Sequence, residues 1–211
     1  MFSREKAEEL LLNNLKSEHL IKHSYAVEAV MRGLAKKLDP ENIDKWGITG
    51  LLHDLDADIV DYVQNPHLHG PKTVEILKAE GFGDEDMYNA ICAHNQESGT
   101  EIKSKMDQSI YAADPITGFI TAITLVYPDK KISSVKVKSI TKRMKEKRFA
   151  AGANREAMKS IEKLGIEFSE FAELALSLWK KFQKYLDYKI CNKYLIELKC
   201  NKNFINLIYI N

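Results

Sequence analysis

The chain has 211 residues, with 31 Lys or Arg against 30 Asp or Glu, and three cysteines. That length buries a substantial core and is read most simply as one domain, and the near balance of charge gives no overall pull toward nucleic acid or a membrane surface. Cys92, Cys191 and Cys200 lack a CxxC spacing, which argues against a disulfide framework and a thiolate metal site, so they are read as reduced thiols.

The first fifteen residues mix Arg4, Glu5, Lys6, Glu8 and Glu9 with leucines, unlike a secretory apolar region. No later apolar run approaches the roughly 20 residues needed to span a bilayer. The expected location is the cytoplasm, with no membrane partner. Ser3 caps a first helix with Ala7, Leu10, Leu11 and Leu15 on one face, and Ser17 caps a second that runs to about Leu38. On that second helix His23 shares an inward stripe with Ala26, Val27, Val30 and Leu34. Asp39-Pro40 stops it. A third helix, begun by Asn42 or Asp44, carries Trp46, Ile48, Leu51 and Leu52 to the adjacent pair His53-Asp54. Gly47 and Gly50 each cost a helix about 1 kcal/mol relative to Ala, which implies close approach of a neighbour, expected to be the His23 helix.

Leu55-Asp56-Ala57-Asp58 and a short apolar segment lead to His69-Gly70-Pro71, where Pro71 opens a helix through Glu80. The free N–H groups at that helix start suit an anion. Asp84 caps the next helix, whose inward stripe of Met87, Ala90 and Ile91 ends on His94. A further helix takes Ile110, Tyr111 and Asp114 inward and is expected to kink or break at Pro115. Residues 130–148 are strongly basic. Val137, Ile140 and Met144 favour a helix there over a strand, since nothing else in the chain offers a sheet partner. Asn154 caps a helix ending near Leu164-Gly165, and Ser169 begins a long amphipathic helix. The expected organisation is one all-α domain over residues 1–187 and an extension of unassigned role over 188–211.

The polar residues that end or interrupt inward stripes form an ordered set: His23, His53-Asp54, His69, His94 and Asp114. Imidazole nitrogen with carboxylate oxygen suits a divalent Fe, Mn, Ni, Co or Zn ion, and the missing thiolate argues against a structural zinc site. That order resembles the HD superfamily of metal-dependent phosphohydrolases, marked by a distant His, an adjacent His-Asp and a distal Asp. The resemblance covers roughly Lys22 to Ala122. It implies that His23, His53, Asp54 and Asp114 hold one metal ion in a helical bundle. His69 and His94 resemble the second-metal ligands of the binuclear branch, which includes HD-type diadenosine tetraphosphate hydrolases, and there Asp54 is the bridge. The nearer alternative is a single ion, with His69 and His94 binding substrate phosphate.

The chain departs from the His-Asp-Ile-Gly-Lys variant of that motif, carrying Leu55, Asp56, Ala57 and Asp58 instead. By resemblance to other branches Asp58 is the candidate acid assisting the attacking water, in competition with a helix-cap role. Residues 136–139 and 150–156 resemble stretches of small uncharacterised HD proteins and add no substrate.

The expected activity is metal-dependent hydrolysis of a phosphate ester or anhydride in a small substrate, a nucleotide being favoured. Bound metal lowers the pKa of water from 15.7 to about 7. Lys138, Lys142 or Arg155 would neutralise the phosphate oxygens, although exposed lysines are the norm. For Arg155 a structural role competes evenly. The basic run lacks interleaved aromatics, which argues against nucleic acid. No GxxxxGK[ST], HExxH or GxSxG stretch occurs. The alternative from another class is an HD-fold module that holds metal and senses a nucleotide without turnover.

Overall fold

The structure, a computed structural model, describes residues 2–183; the proposed domain boundary at 187, the extension over 188–211, Cys191 and Cys200 lie outside them. The described residues are helical, with no strand among them. α1 (Arg4–Asn14) starts where the Ser3 hydroxyl accepts the Lys6 N–H. Its buried face is Ala7, Leu10 and Leu11. α2 (Glu18–Leu38) ends at Asp39-Pro40, and after one 3-10 turn α3 (Ile43–Leu52) packs along it.

The glycines explain how close these two helices come. A Cβ on Gly50 would lie 3.1 Å from the Val27 carbonyl oxygen and 3.2 Å from the Glu28 nitrogen, both on α2, while one on Gly47 would collide with Arg32. Gly50→Val should therefore destabilise the protein by about 1–3 kcal/mol through overpacking, although it removes a poor helix former. Thermal unfolding measures this; an unchanged midpoint would mean that the helices part freely.

α4 (Pro71–Ala79) and α5 (Glu85–Ala93) complete one apolar cluster with α1 and α3, around Leu11, Leu51, Leu52, Leu77, Met87 and Ile91. The larger cluster surrounds α6 (Lys105–Val126), which packs against α2, α5, α7 (Val137–Arg143) and α8 (Arg155–Lys159). Phe171 and Ala175 add α9, helical over residues 168–183. α7 confirms helix over strand in the basic segment, and α8 starts where the Asn154 side chain accepts the Ala157 N–H.

Two expectations about α6 are corrected. Of the kink or break expected at Pro115, the break is absent: the helix runs through it. Proline inside a helix costs about 3 kcal/mol, and complete burial of Ile110, Ile116, Phe119 and Ile120 holds the segment together across it. α6 is also long and apolar enough to cross a membrane, by length and composition alone, where the sequence reading found no such run. More than half of that apolar stretch is buried inside the protein, as suits the core helix of a bundle.

Candidate metal centre

The six residues come together where the two apolar clusters meet. His53 follows the last residue of α3 and His94 the last of α5. A helix C-terminus leaves its last carbonyls without partners, and both histidines use one. The His53 Nδ1 lies 2.9 Å from the Gly50 oxygen and the His94 Nδ1 2.5 Å from the Ile91 oxygen. With Nδ1–H donating to a carbonyl, each ring turns its Nε2 lone pair inward. His53 is fully buried and the chain leaves the helix immediately after it, so the neighbouring Asp54 carboxylate reaches the same space.

His23 comes from α2. Its Nδ1 is 2.9 Å from the Thr117 hydroxyl, which itself donates to the Asp114 carbonyl, so Thr117 accepts from the ring and leaves Nε2 free. His69 is held by a carboxylate instead, with Nδ1 2.7 Å from Asp56 Oδ1. Gly70 follows with φ +93°, and a Cβ there would press on the backbone of Ile91 and Cys92. Glycine lets the His69 loop lie against the end of α5.

The four Nε2 atoms converge on two carboxylates. Asp54 Oδ1 lies 3.2 Å from His53, 3.3 Å from His69 and 3.5 Å from His94, while Asp54 Oδ2 is 3.5 Å from His23. Asp114 Oδ1 is 3.0 Å from His23 and 3.8 Å from His53. Three sets each keep their ligand atoms within 4.8 Å of one another: His23 with His53 and Asp54; His53 with His94 and Asp114; Asp54 with His69 and His94. This donor set and spacing fit a divalent cation. Two further observations agree. Among the described residues His53 Nε2 and Asp54 Oδ1 are buried without a hydrogen-bond partner, a state that is costly unless something fills it. The Nε2 atoms of His69 and His94 also face each other at 3.1 Å.

The electrostatics are those of a cation site. Burial pushes against ionisation of Asp54, but His53, His69, His94 and His23 outweigh it and hold the carboxyl well below its usual range. Asp114 is held low in the same way, burial being overcome by His23 and His53. Burial opposes charge on His69 too, yet Asp54 and Asp56 push its pKa up to about 10.

The other predicted residues lie elsewhere. Asp58 does not face this cluster: both its oxygens are taken by the start of α2, accepting the Lys16 and Ser17 N–H groups and the Ser17 hydroxyl. It ties its own turn to the link between α1 and α2, where Ser17 is the N-cap residue, and these bonds hold its carboxyl below the ordinary range. Asp58→Ala should lower the thermal midpoint and leave metal content unchanged, and loss of metal would return it to the site. Arg155 is also corrected. Its guanidinium donates to the carbonyls of Ala150, Ala153, Glu146 and Phe149 and stacks on Phe119, leaving little for a phosphate. Lys138 and Lys142 are exposed on α7, and Lys142 lines a cavity of about 260 Å³ that contains none of the six residues.

Asp56 is the residue that sequence reasoning missed. It is fully buried; besides His69, it accepts the Gly70 N–H at 2.7 Å and the Thr73 N–H at 3.3 Å. The anion expected at the start of α4 is therefore this carboxylate. Asn95 contributes as well, donating to the carbonyls of Pro66 and His69. A mouth of about 240 Å³ opens over His69, His94 and Asp114, edged by Gln96, Glu97, Tyr111 and Asn154.

Residues 20–118 match the family model of the HD domain, a span that takes in all six converging residues. No curated protein and no solved structure gives a significant match to the chain.

Proposed function

On the premise that this chain carries an HD domain and so belongs to that superfamily, we propose that it is a metal-dependent phosphohydrolase. It cleaves a phosphate ester or anhydride of a small substrate, a nucleotide. The observation that carries this reading is the convergence of four imidazoles on Asp54 and Asp114, with His53 Nε2 and Asp54 Oδ1 buried and unpartnered.

His23, His53, Asp54 and Asp114 would hold one ion. Asp54, His69 and His94, whose ligand atoms form a set of their own, would hold a second. When bound, such ions supply Lewis acidity that activates water near neutral pH and neutralises charge on a phosphate oxygen. The chain's own residues orient and select. Thr117, Gly50, Ile91 and Asp56 fix the four rings so that Nε2 faces the centre. At the mouth, burial raises the Tyr111 phenol above its ordinary pKa, so it stays protonated and able to donate, and the Asn154 amide lies beside it at 3.4 Å. Among the described residues no lysine or arginine lines this mouth, so charge neutralisation there falls to the metal.

The test is a screen of nucleotides and simple phosphate esters with Mn, Fe, Co, Ni and Zn ions, following phosphate release. The expected result is turnover by the parent and none by His53→Ala. A metal-free parent, or a His53→Ala variant as active as the parent, would sink the reading. Tight nucleotide binding without turnover across all metals would assign the chain to sensing instead.

A further inference from the structure

A cavity of about 880 Å³ adjoins the metal centre through His23 and takes no part in the site above. Its walls are the start of α2, the second half of α6, the turn around Lys130–Ser133 and α9. Among the described residues four lysines line it, Lys22, Lys130, Lys131 and Lys180, and no acidic residue does. Lys22 pairs with Glu18 and Lys180 donates to the Val135 carbonyl; Lys131 feels the charge of the neighbouring Asp129, but no hydrogen bond or ion pair engages the Lys130 or Lys131 ammonium among the described residues. The remaining wall is largely apolar, with Trp179 and Phe182 presenting aromatic rings.

Two details of the backbone point the same way. Lys130 has φ +50°, a left-handed conformation that costs a residue with a side chain roughly 1–2 kcal/mol. The turn is pinned in that form by Asp129, which accepts the Lys131 N–H and the Ser134 hydroxyl. Strain of this kind collects at binding sites. On α6, Asp114, Gly118 and Thr121 share a face by their i, i+4, i+7 spacing. Gly118 is exposed, and nothing lies within 4 Å of where its Cβ would be. A glycine here costs the helix about 1 kcal/mol and has no packing reason among the described residues. Its bare backbone lies between Asp114 and Thr121, which lines the cavity, and the two are about 10 Å apart along the helix at 1.5 Å per residue.

We propose that this cavity holds the part of the substrate remote from the reacting phosphate, and that this part is a nucleoside bearing its own anionic group. The base lies against Trp179 and the anion against Lys130 and Lys131. The inference rests on the phosphohydrolase reading for the reacting end alone. Lysines without a ring would accept any polyanion, and an apolar wall without lysines would accept any hydrophobe; the two together select a ligand that is both aromatic and anionic. The cavity size suits a molecule of that class.

The experiment uses the full chain with its metal and the methylene-bridged analogue of ADP, which resists cleavage between its phosphates. Adenosine and methylenediphosphonate supply the aromatic and anionic halves separately. The analogue is expected to quench Trp179 fluorescence and to bind at least tenfold tighter than either half by calorimetry. Lys130→Glu with Lys131→Glu should weaken it at least tenfold, whereas Lys145→Glu with Lys147→Glu, the same charge change on exposed residues, should not. Methylenediphosphonate binding as tightly as the analogue, or equal effects of the two double variants, would overturn the proposal. Release of phosphate from ADP is measured alongside. Turnover without any Trp179 signal would leave the phosphohydrolase reading standing and the cavity assignment refuted; a Trp179 signal with no phosphate released from ADP or from any substrate of the screen above would refute the first and keep the second.

Discussion

Asp54→Ala should abolish metal retention and phosphate release together, while the helical content of the protein persists. Losing a partner that only orients a ligand typically costs 10–100-fold in metal affinity. Asp54 faces four imidazoles with its two oxygens, so its loss should exceed about 100-fold. Asp54→Asn separates charge from shape. It keeps the packing and one carbonyl oxygen but removes the negative charge that the surrounding histidines favour, and the expected metal loss is nearly as great. Measurement of bound metal per chain after dialysis checks both. A variant that keeps its metal at the parent's level would place the ion away from Asp54.

The second large effect is expected at Asp56, and it should appear in stability as well as in metal affinity. This carboxylate joins His69 to the start of α4, accepting from the His69 ring and from the Gly70 and Thr73 N–H groups inside the protein. Asp56→Ala leaves those donors without an acceptor where water does not reach, at a cost of about 3 kcal/mol. It also frees the His69 ring, which should weaken metal binding by about 10–100-fold. Urea unfolding of the metal-free protein reads the first effect and metal titration the second. Asp56→Asn should lie between, since it keeps an acceptor for one donor and presents an amide to another. Lost stability with unchanged metal affinity would reduce Asp56 to a cap of α4.

The sequence makes the centre legible because of where its residues fall. His23, His53 and His94 each belong to an inward stripe, and the stripe's direction is fixed by apolar neighbours such as Val27, Leu52 and Ile91. Helices that bury those stripes must bring the histidines together. Gly47 and Gly50 likewise announce the contact with α2 before any coordinates do. The residues around the site obey no such rule. Asp56 and Asp58 stand two apart in a turn, and only the path of that turn decides which faces His69 and which reaches back to Ser17. Lysines differ from one another by position alone. Composition singled out the whole basic run over residues 130–148, yet within it the fold places Lys130 and Lys131, rather than Lys138 and Lys142, around the cavity that His23 lines. Arg155 was lost for a related reason, since the carbonyls that occupy it belong to a loop whose shape no periodic pattern specifies. Pro115 misled because its local cost is real, but burial on both sides of it is larger.

The central claim is that His53-Asp54 and their four partners hold metal. It is tested most directly by crystals grown with Mn²⁺ and an anomalous difference map collected near the manganese edge. The account predicts a peak bounded by His23, His53, Asp54 and Asp114, and a second bounded by Asp54, His69 and His94. The first peak alone would reduce the centre to a single ion, with His69 and His94 left to the substrate; no peak among the six residues would contradict the account.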